Sequence, residues 1–221
     1  MKTHEGEVKV WDPAVRIFHW SLVCFVLITF VTGDDFLGFH VLAGYAVLSL
    51  LLFRVVWGLI GPKYARFSEF LYPPRVVLNY LKNLITCRAK RYLGHGPAGG
   101  SMVITLMITL LLVCLSGLGI YGGEESAGPF AGFLAGAGHF WIEVLEEVHE
   151  FLAGLVVLLV GFHIGGVLLS SLAHGENLIK SMITGYKPEK TVEYPRLEED
   201  VLDRRRRRKG RAMPGSLREH Y

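Results

Sequence analysis

"EEVHEFLAGLVVLLVGFH", residues Glu146 to His163, is an apolar stretch that carries two histidines fourteen positions apart. In an α-helix, fourteen residues cover about 21 Å and about four turns, so both rings lie on the same face at two depths. A histidine in a lipid-embedded helix is costly, usually faces the interior of a bundle, and is functional by default. The stretch therefore predicts a membrane helix with two functional positions on one face.

The rest of the chain is equally apolar. Its 221 residues are 51% hydrophobic with a mean hydropathy of +0.38, which is too apolar for an ordinary soluble domain. Apolar segments occupy about residues 17–33, 39–60, 102–121 and 144–172. A bilayer core needs about 20 residues of helix, a length that the first segment only barely reaches. Because a helix satisfies its own backbone in lipid, we predict an all-α membrane protein, a bundle of four transmembrane helices.

The charges predict the orientation of this bundle. Lys and Arg residues are concentrated in the N-terminus, in the loop 61–101 and in the C-terminus, whereas the other two loops contain none. Those two loops carry acids instead: Asp34, Asp35, Glu124, Glu125 and Glu143. By the positive-inside rule, both termini and the middle loop are expected to be cytoplasmic, in a multi-pass protein.

Two domains are predicted from the composition. Residues 1–187 form the membrane domain, and residues 188–221 form a charged cytoplasmic tail that we expect to be disordered. The RRRRRK run at 204–209 resembles a nucleic-acid patch, but after four membrane spans a solvated or lipid-contacting tail is favoured, with no nucleic-acid partner. Within the membrane domain, residues 73–85 predict an amphipathic surface helix, and the loop before Trp141 predicts a short interfacial one.

The cysteines exclude several kinds of site. The chain has three, Cys24, Cys87 and Cys114, and they form neither a CxxC nor a CxxCH motif. A zinc site of the CxxC type, a disulfide framework and a covalently attached haem are therefore not indicated.

Histidines at the ends of the predicted spans match in depth by pairs. His19 begins the first span at the same side as His163, and His40 begins the second span at the same side as His149. A lone histidine at a membrane boundary is more often an interfacial polar residue than a ligand. Two imidazoles that face each other from different helices, however, suit the two axial positions of a haem iron. Two such pairs, stacked across a bilayer, predict a path for electrons.

Neighbouring residues fit this interpretation. Gly44 lies one turn after His40, where a missing side chain lets a flat macrocycle approach the backbone, although small residues also serve plain helix packing. Arg54 lies fourteen residues after His40, on the same face, and is a candidate partner for haem propionates; the alternative is that it snorkels to headgroups. Arg16, one turn before His19, is a second candidate of this kind.

The motifs "VWDPAVRIFHW", "FHVLAGYAVLSLLLFRVVWGLIGPKYARFSEF", "YLGHGPAGG" and "EEVHEFLAGLVVLLVGFHIGGVLLSSLAHGENLIKSMITGYK" resemble the bacterial cytochrome b561 family, which includes the b-type cytochrome subunits of nickel-iron hydrogenases. The resemblance covers about residues 8–187. It implies a protein of the bacterial inner membrane with two non-covalent b haems, each held by two histidines. The family's ligands carry over as His19, His40, His149 and His163. The short first apolar segment and the short loop after it look closer to the compact branch found beside c-type cytochromes than to the hydrogenase cytochromes.

The leading functional hypothesis is an electron carrier between the quinone pool and a redox partner such as a c-type cytochrome, a dehydrogenase or a hydrogenase. A quinone is a possible additional cofactor, and a homodimer is permitted by the small-residue faces. A quinone oxidoreductase that acts on superoxide is one alternative, disfavoured because the predicted outer loops lack Lys and Arg. A haem-bearing membrane anchor of a redox complex is another. A haem-free ion or proton carrier is disfavoured because the spans contain almost no acids.

Overall fold

The computed structural model describes residues 6–33, 36–86, 89–134 and 136–189. Its elements, in chain order, are β1 (Glu7–Lys9), α1 (Pro13–Thr32), α2 (Leu37–Ile60), α3 (Pro74–Ile85), α4 (Pro97–Glu124), α5 (Ala131–Leu134), α6 (His139–His174), α7 (Leu178–Thr184) and β2 (Tyr186–Pro188). Two short 3-10 turns, Lys63–Ala65 and Phe67–Glu69, lie between α2 and α3.

Helix α1 begins at Pro13, four residues before the predicted apolar segment 17–33. Asp12 is the reason, because its carboxylate accepts hydrogen bonds from the backbone N–H groups of Ala14 and Val15, at 2.9 and 3.2 Å. Pro13 follows at the first helical position, where its missing N–H costs nothing. The cap lengthens α1 to 20 residues, enough to span a hydrocarbon core.

Four helices of the described chain, α1, α2, α4 and α6, are long and apolar enough to cross a membrane. The predicted four-helix membrane bundle is thereby confirmed, while the side of the membrane on which the termini lie stays a prediction. Helix α1 packs along α2, and α4 packs along α6. The two pairs meet chiefly where α2 contacts α4.

An apolar layer closes the middle of the bundle. Val47 and Leu51 of α2, Leu110 of α4 and Val156 of α6 are buried against one another. Val156 lies seven residues from His149 and seven from His163, and Val47 lies seven residues after His40. The layer therefore separates the two histidine depths with side chains that carry no polar atom.

The two ends of the bundle differ in charge. We call the end where α1 begins and α6 ends the basic end, and the opposite end the acidic end. The sequence has no Lys or Arg between Arg16 and Arg54, or between Arg91 and Lys180, so the acidic end has none. Its described acids are carried by α4, α6 and the residue after α4: Glu124, Glu125, Glu143, Glu146, Glu147 and Glu150.

The basic end is closed by contacts between distant parts of the chain. Strands β1 and β2 pair antiparallel, with Val8 opposite Lys187, and the N–H groups of Val10 and Trp11 donate to the carbonyl of Gly185 at 2.9 and 3.1 Å. The start of the chain is thus bound to the segment after the last membrane helix. Neither short strand was predicted.

Two smaller helices agree with expectation. Helix α3 exposes Val76, Leu78 and Ile85, as an amphipathic helix on a membrane surface does. Helix α5 is a single short turn in the loop before α6. The predicted tail 188–221 falls almost wholly outside the described residues, as do Asp34 and Asp35, and the domain boundary stays a prediction.

Candidate functional site

The structure brings the four predicted histidines together as two pairs. The ring centroids of His19 and His163 are 6.3 Å apart, and those of His40 and His149 are 6.2 Å apart. A metal–imidazole nitrogen bond is about 2 Å, and the ring centroid lies about 1 Å behind that nitrogen. Two imidazoles that face one iron therefore have centroids about 6 Å apart. Both gaps are of the size that one iron atom requires.

The pair at the acidic end is oriented by hydrogen bonds to backbone carbonyls. His40 Nδ1 lies 3.0 Å from the carbonyl oxygen of Thr29, and His149 Nδ1 lies 3.1 Å from that of Val113. The hydroxyl of Ser116 also lies 3.1 Å from His149 Nδ1. A ligand histidine characteristically donates its second ring N–H in this way, which leaves Nε2 free for a metal.

The pair at the basic end has a different environment. The Nδ1 atom of His19 is buried and has no hydrogen-bond partner among the described residues. Its ring packs edge-on against Trp20, with centroids 5.1 Å apart. A buried polar atom without a partner is rare in a native protein, so the partner of this atom lies outside the described residues or is a bound molecule.

Glycines leave space beside the histidines. A Cβ atom built on Gly44 of α2 would meet nothing within 4 Å, and the same holds for Gly161, Gly165 and Gly166 of α6. Gly117 of α4 is the opposite case, because a Cβ there would lie 2.9 Å from Cε1 of His149. The open glycines keep the helix surfaces low where a planar group has to enter, and Gly117 allows the ring of His149 to pack against the backbone.

Arg54 does not snorkel to the surface. It is 2% exposed, its Nη2 donates to the carbonyl of Ala65 at 3.0 Å, and its guanidinium lies 4.8 Å from the ring centroid of Phe67. Its Nη1 is buried with no partner among the described residues. This donor is available to an acceptor that belongs to a ligand.

The depth of Arg54 follows from contacts between α1 and α2. Phe18 faces Phe53, and the Trp57 indole N–H donates to Asp12 at 3.3 Å. In these antiparallel helices Arg54 is therefore about level with Arg16, one turn from His19 toward the basic end. Arg16 Nη1 donates to the carbonyl of Thr184 at 3.1 Å, while its Nε is buried without a described partner.

His95 also lies near the histidine pair of the basic end, where Arg54 and Lys187 act on it. Its ring packs against Trp11 and Phe70, with centroids 4.6 and 4.7 Å away, and its Nδ1 is buried without a described partner. Burial, and then the positive charges of Arg54 and Lys187, lower the pKa of His95 from its ordinary 6.5 to about 3. The ring is neutral at physiological pH. Its isolated position in the "YLGHGP" loop gave no periodic signal that would have located it.

A buried ion cluster was also missed. Glu176 bonds to Arg91 and lies 3.9 Å from Lys187 Nζ, so that two cations share one carboxylate. Burial lowers the pKa of the Lys187 ammonium, and the charge of Glu176 partly opposes that shift. His139, in contrast, is on the surface, 3.3 Å from the neighbouring Glu143.

The described residues contain no group of three or more His, Cys, Asp or Glu side chains suited to hold a metal ion. Paired imidazoles beside open glycines, with unpaired guanidinium donors one turn away, instead fit a haem. A haem takes two ligands from the protein, brings its own four nitrogens, and carries two carboxylates. The residues present therefore match the donor set that this cofactor needs.

Comparisons with known proteins agree with the geometry. The family profile described as "Prokaryotic cytochrome b561" matches residues 10–185. A protein of Rhodobacter capsulatus named "Probable Ni/Fe-hydrogenase B-type cytochrome subunit" is 23% identical over 220 residues, 81% of each chain. Proteins with the same name from Rhizobium leguminosarum bv. viciae (23%, covering 80% of this chain and 87% of the relative) and Azotobacter chroococcum mcd 1 (25%, covering 81% and 88%) are similar. The chain therefore belongs to the prokaryotic cytochrome b561 family and is a b-type cytochrome of a bacterial membrane that acts in electron transfer.

Proposed function

We propose that the protein binds two haem b groups and carries electrons between them across the membrane. One haem is held by His19 and His163 at the basic end, the other by His40 and His149 at the acidic end. The observation that carries this proposal is the presence of two histidine pairs at different depths, each with a ring separation suited to one iron.

When bound, haem supplies one-electron redox chemistry at its iron. The residues of this chain bind it, orient it and exclude water. Thr29 and Val113 fix the rings of His40 and His149 through their carbonyls, and Gly44 leaves room for the macrocycle. Arg16 and Arg54 offer donors to the propionates of the haem at the basic end. If both histidines of a pair bind the iron, no coordination position would remain for oxygen, which argues against oxygen binding there.

The apolar layer around Val156 has a role in this function. Electrons cross such a layer by tunnelling between cofactors, whereas a proton or another ion needs polar groups or water to follow. Two sites about 21 Å apart along α6, separated by Val47, Leu51, Leu110 and Val156, let charge pass as electrons without an ion leak. A haem-free proton carrier would not be built in this way.

The partners are proposed from chemistry and from the relatives. Because those relatives are named as hydrogenase subunits, we propose that a redox subunit or a soluble carrier such as a c-type cytochrome, a dehydrogenase or a hydrogenase exchanges electrons with the acidic end, and that the quinone pool serves the other side. From the positive-inside rule we propose that the basic end lies on the cytoplasmic side of the membrane. Carboxylates exposed on α4 and α6 would then steer a basic partner surface toward the haem of His40 and His149.

The first test is a haem count on the purified protein by pyridine haemochrome, with oxidised and dithionite-reduced spectra. We expect about two b haems per chain. Single alanine variants of the four histidines should fall into two classes. The variants of His19 and His163 should lose one spectral component, and those of His40 and His149 should lose the other. His139→Ala, which removes a surface histidine, is the matched control and should keep both. No haem, or losses that do not group in this way, would refute the proposal.

A further inference from the structure

The charges of the two ends are unequal, and two cations of the basic end, Arg54 and Lys187, are buried. Arg54 is 2% exposed, and no described carboxylate pairs with it. The charge of Asp12 acts on Arg54 without an ion pair, and its carboxylate accepts from two backbone N–H groups and the Trp57 indole. Arg91 and Lys187, also at this end, share the single carboxylate of Glu176. The region beside His19 and His163 therefore holds an excess of buried positive charge.

The acidic end has the opposite imbalance. Glu146 and Glu150 flank His149 on α6, Glu124 faces Glu146 from α4, and no Lys or Arg lies in that part of the sequence. Glu124 and Glu150 are exposed, so water and salt screen them more than Arg54 is screened. The larger part of the electrostatic difference between the two ends therefore comes from the buried cations.

From this asymmetry we infer that Arg54 sets the reduction potential of the haem at His19 and His163 above that of the haem at His40 and His149. The ferric state carries one more positive charge than the ferrous state, so a nearby buried cation disfavours it and raises the potential. This inference rests on the proposed function. If Nη1 of Arg54 also binds a propionate, the sign is unchanged, because that pairing neutralises a negative charge on the same haem.

The difference in potential gives electron transfer between the two haems a preferred direction. With haem held at both histidine pairs, one electron given up at the acidic end would be taken up at the basic end, and no other reactant would be needed. Transfer toward the basic end is downhill. The chain thus favours electron delivery to the basic end.

The test is a redox titration of the full haem-loaded chain, followed by its visible absorption. We expect two components in the wild type. In His149→Ala, which lacks the acidic-end haem, the component that remains should be the one of higher potential. Arg54→Gln should lower that component alone, so that its oxidised-to-reduced ratio at fixed potential rises about tenfold, which is about 59 mV for a one-electron couple.

Two variants separate charge from structure. Arg54→Lys keeps the charge without the guanidinium and should retain most of the potential, whereas Arg66→Gln removes an exposed arginine of the same end and should change neither component. If Arg54→Gln no longer binds the haem, the assignment from His149→Ala still decides the order of the two potentials. Equal components, a lower potential at the basic end, or an Arg54→Gln variant with both haems and unchanged potentials would overturn the inference. A chain with two haems and the wrong order refutes only this inference, while a chain without haem refutes the proposed function.

Discussion

His149 packs directly on the backbone of Gly117, where an added Cβ would lie 2.9 Å from the imidazole Cε1. Helix α4 also holds the ring through one atom, because the carbonyl of Val113 and the hydroxyl of Ser116 both contact its Nδ1. The position of His149 on α6 therefore depends on the absence of a side chain at Gly117 of α4.

Gly117→Ala is expected to displace the ring of His149 and to weaken or abolish haem binding at the acidic end, because ligand geometry tolerates displacements of only about 0.5 Å. The haem count should fall from about two toward one, with loss of the component that His40→Ala also removes. Gly132→Ala adds the same methyl group in α5, where nothing lies within 4 Å, and should leave the count unchanged. An alanine variant with two haems and unchanged spectra would contradict this role of Gly117.

Gly44 is predicted to act through the space it leaves. Gly44→Leu should fill the room beside His40 and exclude the acidic-end haem while α2 still forms, because leucine is a strong helix former. The measurement is the pyridine haemochrome count together with far-ultraviolet circular dichroism. Gly38→Leu, at another open glycine of the same helix, is the control and should retain both haems. Equal loss in both variants would show that the helix, not the space, was damaged.

Because of His95, we expect the protein to become less stable as the pH is lowered. In the unfolded chain a histidine binds a proton below about pH 6.5, whereas in the fold the pKa of His95 is about 3. Between these values the unfolded state holds more protons, so the free energy of unfolding decreases as the pH falls, by at most about 1.4 kcal/mol per pH unit.

This prediction is checked by thermal unfolding in detergent between pH 7 and pH 5. His95→Phe fits the aromatic surroundings of Trp11 and Phe70 and cannot titrate, so its melting temperature should fall less steeply than that of the wild type. His139→Phe alters an exposed histidine and should keep the wild-type slope. Parallel slopes for wild type and His95→Phe would rule out His95 as the source.

Glu176 holds the basic end together and should be costly to neutralise. Glu176→Gln leaves the buried Lys187 and the half-buried Arg91 without their carboxylate, which is expected to destabilise the fold by about 3 kcal/mol. The melting temperature should drop, and β2, which contains Lys187, should become accessible to protease. Glu69→Gln removes an exposed carboxylate near the same end and should have little effect. A Glu176→Gln variant as stable as the wild type would show that the cluster contributes little.

The parts of the fold that follow from local pattern were predictable from the sequence. Long apolar segments separated by charged loops gave the four-helix membrane bundle, and the 3.6-residue period placed His149 and His163 on one face. The start of α1 was placed too late, because its cap depends on Asp12 and Pro13, which carry no apolar signal.

Contacts between residues far apart in the chain were not predictable. Glu176 and Arg91 are separated by 85 positions, and the pairing of β1 with β2 joins segments almost at opposite ends of the described chain. His95 belongs to the same class, since only the folded chain brings Trp11 and Phe70 to its two faces. The residue pattern of a single helix does not encode such long-range contacts. These contacts make the basic end more than the place where the helices of the bundle end.

The placement of the four histidines also orders events during synthesis. His19 and His40 are made early, on the first pair of helices, whereas both of their partners lie on α6, the last membrane helix. On the ligation proposed above, a nascent chain that lacks α6 can offer any haem only one ligand. The strand that binds the start of the chain, β2, emerges later still. On this ligation, binding of either haem by two histidines would follow the synthesis of α6, and a chain truncated before α6 would lack one ligand of each pair.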